Sequence, residues 1–305
     1  MKKLLIILIA SVSCANAFEY QSAHILKTNN TTALFNAQTA FSPLSNFKPD
    51  AQQIKPLINE VAYVGQNKRR DLATILTSRI VYRGRYEQAL QNAKSIIWEM
   101  AINLPMQMLE ELESEQFTAY IIPANRDLTD LPELADLKGE PTSDGRAFNR
   151  VRGCARRVNG IEIVFAEEDV VPFDIPGAKH KTVRKHFGLI AAHEMAHAVH
   201  YVVSWEGHQE LIDAYESRVN NSLPFPGNYA SKNMVEYFAV SASMFFGTRD
   251  HAGKRGLDWL RSNDNKLLSI LTKIFGDPKN LSLGINPRSI EPDSAYIDID
   301  EDVDY

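Results

Sequence analysis

Gly188-Leu189-Ile190-Ala191-Ala192-His193-Glu194-Met195-Ala196-His197-Ala198-Val199-His200 is the stretch whose reading decides the fold. Two histidines four residues apart lie one turn above each other on one face of an α-helix, so both imidazoles can reach one ion. Glu194 lies beside that face, where it can take a proton from a metal-bound water. Zinc lowers the pKa of such a water from about 15.7 to about 7, which explains why the chemistry needs His-Glu-x-x-His at this spacing. Three fixed positions recur by chance, and exposed polar residues on an ordinary helix are the competing reading. The flanks favour the metal: Leu189, Ile190, Ala191, Ala192, Ala196, Ala198, Val199 and Val202 make a mostly apolar helix. Two histidines and a glutamate inside it cost several kcal/mol unless something compensates them.

A catalytic zinc takes three protein ligands and keeps one position for water. A third histidine in the metzincin arrangement requires Gly at 200 and His at 203, and the chain has His200 and Val203. His200 then reads as a helix-surface residue or a supporting neighbour. Glu206, Glu210, Asp213 and Glu216 fall on a polar surface helix, whereas Glu236 is a lone carboxylate in the apolar run Met234-Val235-Glu236-Tyr237-Phe238-Ala239-Val240. An ordinary exposed glutamate is the other reading of that position. Tyr229 precedes it by seven residues. A phenol near a metal can donate to the oxyanion of a tetrahedral intermediate, although a loop tyrosine is more often structural.

Outward from this segment, the 305-residue chain has room for one large domain with a smaller attachment. Lys2 and Lys3, the apolar run Leu4 to Val12 and Ala15-Asn16-Ala17 read as a signal peptide over 1–17, with Phe18 as the mature start. The apolar run is too short to span a bilayer, so no integral membrane segment is expected after its removal. The expected location is secreted or periplasmic. The weaker alternative is a lipid anchor on Cys14, for which Ser11-Val12-Ser13-Cys14 lacks the usual Leu. Cleavage after Ala17 leaves Cys154 as the lone cysteine and excludes an intrachain disulfide. The formal net charge is −5, and Glu291, Asp293, Asp298, Asp300, Glu301, Asp302 and Asp304 concentrate the acid in a tail over 286–305. The body is then close to neutral, which argues against a nucleic-acid groove.

Residues 18–85 read as a lead-in or propeptide-like region, with a small helix over Asp71 to Val81. A catalytic domain is expected over 86–285. Helical periodicity is strong over Tyr86–Leu104, with Ala89, Leu90, Ala93, Ile96, Ile97, Met100 and Ala101 on one stripe. Phe117–Ile122 and Gly160–Phe165 read as strands, the second entered through Asn159-Gly160, and 124–160 as mostly loop. Helices follow over His186–Val203, Gln209–Val219, Lys232–Phe246 and Leu257–Ile274, the last stopping before Gly276 and Pro278.

Ile190–Tyr201, the run Tyr229-Ala230-Ser231-Lys232-Asn233-Met234-Val235-Glu236-Tyr237-Phe238-Ala239 and Arg249-Asp250-His251-Ala252 resemble the catalytic domain of the anthrax lethal factor metallopeptidases. The resemblance implies an α+β zincin-like fold: a small mixed sheet, an active-site helix and a mainly helical C-terminal part. It implies a gluzincin-type site with one catalytic Zn²⁺ on His193, His197 and Glu236, Glu194 as general base and Tyr229 as oxyanion donor. The family's second glutamate, four residues after the ligand, is replaced by Val240. It implies a protein or peptide substrate, which in zincins adds as an extra strand to an exposed sheet edge. Ile161–Phe165 is the candidate edge, with Ile161, Ile163 and Phe165 as substrate contacts; a plain core strand is the other reading. A catalytically silent zinc-binding module and a zinc hydrolase of a non-peptide cell-envelope amide are the rivals. The intact pair Glu194 and Tyr229 speaks against the first.

Overall fold

A computed structural model of the chain describes residues 51–142, 145–179, 188–249 and 254–278. The segment 1–17 read as a signal peptide, the Asn/Thr-rich lead-in to residue 50, the acidic tail and Asp250-His251-Ala252 lie outside the described residues. By its internal contacts the chain divides into Met1–Ile58 and Asn59–Tyr305. The sheet and both of its cores belong to the second unit.

Helix α1 (Ala51–Ser78) leads into a short strand, β1 (Ile80–Tyr82). Helices α2 (Glu87–Ala101) and α3 (Met106–Ser114) follow, then β2 (Thr118–Ile122), β3 (Gly153–Arg157) and β4 (Ile161–Ala166). The rest is helical: α4 (Leu189–His200), α5 (Trp205–Asn220), α6 (Met234–Phe245), α7 (Leu257–Asn263) and α8 (Asn265–Phe275). The four strands form one sheet in the order β1-β2-β4-β3. β1, β2 and β4 are parallel, and β3 runs antiparallel to β4 with Gly153 opposite Phe165 and Arg157 opposite Ile161.

The sheet has two covered faces, set by strand alternation. Ala119, Ile121, Ile161, Ile163 and Phe165 face the main core, shared with Leu76 of α1, Ile96 and Ile97 of α2, Met195 and Val199 of α4, and Phe238 of α6. Tyr120, Ile122 and Val164 face a second, smaller core closed by Leu128, Leu131, Leu134 and Val151. The Asp- and Gly-rich connection after β2 is therefore a set of 3-10 turns, Leu128–Asp130, Pro132–Leu137 and Phe148–Arg150, laid over the far side of the sheet.

Three expectations need correction. The catalytic domain does not begin at 86: β1 is a strand of its sheet, and Leu72, Ala73 and Leu76 of α1 sit in its main core. β4 is not an edge. It is flanked by β2 and β3, with Ile161, Ile163 and Phe165 at 0% exposure, so these three side chains cannot touch a substrate. The edges are β1 and β3, and β3 was read in the sequence as loop. Finally, the helix over Leu257–Ile274 is two, broken where Asp264 leaves helical geometry (φ −145°, ψ 62°). There its carboxylate accepts from the Leu267 amide and from the Tyr237 hydroxyl, and pairs with the buried Arg218 guanidinium at 2.7 Å.

Candidate metal and catalytic site

α4 packs on α6 and carries His193 and His197 toward Glu236, with the Glu194 carboxylate against Gly153 of β3. Its entry is Gly188, in the left-handed region at φ 70°, which glycine adopts without a Cβ penalty but which brings no capping side chain. The cap comes from Asp169, in the turn after β4. Its carboxylate oxygens accept from the amides of Ile190 (3.1 Å) and Ala191 (2.8 Å), and its carbonyl accepts from the Gly188 amide (2.7 Å). Its acceptor oxygens face the positive end of the helix dipole.

α6 supplies Glu236, again with its own local cap. The Asn233 side chain accepts from the Glu236 amide at 2.9 Å, an Asn-x-x-Glu pattern that marks helix starts. The preceding 3-10 turn, Tyr229–Ser231, is held by the Tyr215 hydroxyl, which donates to the Ser231 carbonyl at 2.9 Å. Tyr229 thereby lies against the ligand face, its ring 5.9 Å from the His193 ring, with the Lys232 ammonium 4.2 Å over its ring centroid.

Three donor atoms converge. His193 Nε2 and His197 Nε2 are 3.0 Å apart, and Glu236 Oε2 is 3.1 Å from the first and 3.4 Å from the second. Among the described residues this is the one group of three side chains whose ligand atoms lie within 4.8 Å of one another. Two imidazole nitrogens and a carboxylate oxygen suit zinc, and ligands at about 2.0–2.1 Å in a tetrahedron stand about 3.4 Å apart, close to these separations. His193 is buried, and Glu194 is buried with Oε2 lacking a hydrogen-bond partner. That pattern fits a site built around a cation and its water.

The electrostatics agree. Burial lowers the His193 pKa, against the pull of Glu236, so the imidazole is neutral and available as a ligand. Burial raises Glu236, but hydrogen bonds with His193 and His197 outweigh it and hold the carboxylate well below its usual range. Glu194 is raised well above the usual range by burial first, then by the charges of Glu236 and Asp169. The site thus holds one carboxylate ready to bind a cation and a second ready to hold a proton.

His200 stands apart from this group. It packs on His208 and Phe238, and burial, then His208 and His197, lower its pKa to about 4. Val240, where the family's second glutamate would stand, is buried in the main core. Cys154 lies on β3; burial first and Glu194 second push its thiol up, so it is a poor nucleophile. Sequence reasoning missed Asp169 and the edge strand. The signal for Asp169 was three consecutive acids, Glu167-Glu168-Asp169, directly after an apolar strand.

The family model described as "Anthrax toxin lethal factor, N- and C-terminal domain" matches residues 66–256. Among solved structures, the Pro-Pro endopeptidase PPEP-2 from Paenibacillus alvei is similar at 22% identity and a TM-score of 0.45, covering 65% of this chain and 98% of that one. No curated protein matches.

Proposed function

Since the chain belongs to the anthrax toxin lethal factor family, with a lethal factor-like peptidase domain over residues 66–256, we propose that it is an exported zinc-dependent endopeptidase. The observation that carries this reading is the convergence of His193, His197 and Glu236 beside a buried Glu194 and against Tyr229. His193, His197 and Glu236 would hold the zinc, which when bound supplies Lewis acidity and lowers the pKa of a coordinated water to about 7.

The chain's own residues supply the rest. Glu194, whose carboxylate is made basic by its surroundings, accepts the proton of the attacking water and returns it to the departing amine. Tyr229 donates its phenolic hydrogen to the oxygen of the scissile carbonyl as charge develops there. β3 binds the substrate backbone: among the described residues it pairs with β4 alone and leaves its other edge open. An extended peptide can add to that edge as a further strand. A row of backbone donors and acceptors favours a peptide over a small envelope amide. Export rests on the N-terminal segment 1–17, and the N-terminus of protein recovered from culture tests it.

The activity is tested by screening the zinc-loaded protein and its Glu194→Gln variant against a peptide library, with cell-wall fragments alongside. Peptide cleavage by the unaltered protein and none by the variant is expected. Cleavage retained in the variant overturns the mechanism, and turnover of wall fragments alone overturns the substrate class.

A further inference from the structure

The turn after β4 places three consecutive carboxylates, Glu167, Glu168 and Asp169, in buried positions. Adjacent like charges out of water are expensive unless each finds partners. Each does, in a different element. Glu167 accepts from the Ala124 amide (2.9 Å) and from the hydroxyl of Tyr82 in β1. Glu168 grips Arg152, the residue before β3, with two bonds of 2.6 and 2.8 Å, and the same guanidinium donates to the Arg126 carbonyl at 2.7 Å. Asp169 caps α4.

Neighbouring residues of one turn therefore hold the start of the edge strand and the start of the active-site helix. What they bring together is Gly153 and Glu194. A Cβ at position 153 would stand 2.6 Å from Glu194 Oε1 and 2.4 Å from Ile190 Cγ2, both closer than real contacts allow. The bare backbone of the edge strand thus lies directly against the carboxylate.

We infer that the Glu167–Asp169 turn and Gly153 form a positioning device that sets the Glu194 carboxylate against the edge strand, and so fixes the base relative to a peptide bound there. The inference rests on the reading of Glu194 as general base. The device acts through Glu194 and touches neither metal nor substrate. Its two parts are separable: the turn fixes where strand and helix meet, and the glycine leaves room for the carboxylate at the meeting point. A displacement of about 1 Å at a reacting group costs about a hundredfold in rate.

The experiment is a double-mutant cycle of Gly153→Ala with Glu194→Asp, whose shorter side chain withdraws from position 153, run throughout in an Ile190→Ala protein so that the second colliding side chain is already cleared. Gly153→Ala alone is expected to lower kcat about a hundredfold, with KM within a factor of two and bound zinc unchanged. In the Glu194→Asp background the same change is expected to cost less than about threefold, because the collision is gone. Equal losses in both backgrounds, or a loss of zinc, overturn the inference. A measurement independent of activity covers the turn: Asp169→Asn is expected to speed amide exchange in 153–157 and 189–192 together, with 234–245 unchanged. Faster exchange in 189–192 alone overturns it. Failure of the unaltered protein to cleave any peptide would strike the peptidase reading, and the exchange result would still decide the device.

Discussion

Asp169 carries more of the site than its place in the sequence suggests. Burial raises its pKa to about 7, against the lowering effect of the Ala191 and Ile190 amides. A carboxyl whose folded pKa lies above its unfolded value of about 3.9 binds more protons in the folded state between the two. Stability contributed by this group is therefore full below about pH 4 and declines as pH rises towards 7. Asp169→Asn removes that titration, so unfolding free energy followed by denaturant from pH 4 to 7 is expected to fall less steeply in the variant than in the parent. Tyr229→Phe keeps the ring against His193 and deletes the donor. Loss of one oxyanion donor costs about 10²–10³ in kcat, and steady-state kinetics should show that loss with KM little changed. At this scale the sequence was legible where chemistry dictates spacing, as in His193 to His197, and where a charge interrupts an apolar run, as at Glu236. It was illegible for Asp169 and Gly153, because their roles lie in contacts with residues 21 to 41 positions away.

The elements were legible to the degree that their periodicity was strong. α2, α4, α5 and α6 carry apolar stripes that only a helix can bury, and the structure places helices there with shifted ends. β3 escaped because Gly-Cys-Ala-Arg-Arg has no alternation of apolar and polar residues: its first four residues are half-buried and the last exposed, so neither face imposes a pattern. The α7–α8 break escaped because Leu257, Leu260, Leu267 and Leu271 keep helical spacing across it, while Asp264 ends one helix and caps the next. Caps at this scale have measurable weight. Asn233→Ala removes the side-chain acceptor at the start of α6, and such changes cost about 1 kcal/mol. The midpoint of thermal unfolding should drop by about 2–4 °C, and Asn233→Ser should restore most of it. Since Glu236 lies in that first turn, zinc affinity should weaken in the alanine variant and recover in the serine one.

The unit Asn59–Tyr305 is built on a mixed sheet with a core on each face, and the site lies where α4 packs between β3 and α6. The C-terminal helices were legible in the sequence pattern, and the α+β class followed from the family resemblance. The domain start was not legible, because a three-residue strand and one face of a long helix leave almost no compositional trace. A ligand that binds the folded state alone stabilises it by about 4 kcal/mol at a thousand times its Kd. Chelation is therefore expected to lower the unfolding midpoint by on the order of 10 °C, reversibly on return of zinc. The central claim is that His193, His197 and Glu236 hold one ion while Glu194 works beside it without holding it. The most direct measurement is native mass spectrometry of the purified protein with its Glu236→Gln and Glu194→Gln variants. One zinc is expected in the parent and in Glu194→Gln, and none in Glu236→Gln at the same free zinc. Full zinc occupancy in Glu236→Gln, or its loss from Glu194→Gln, would contradict that claim.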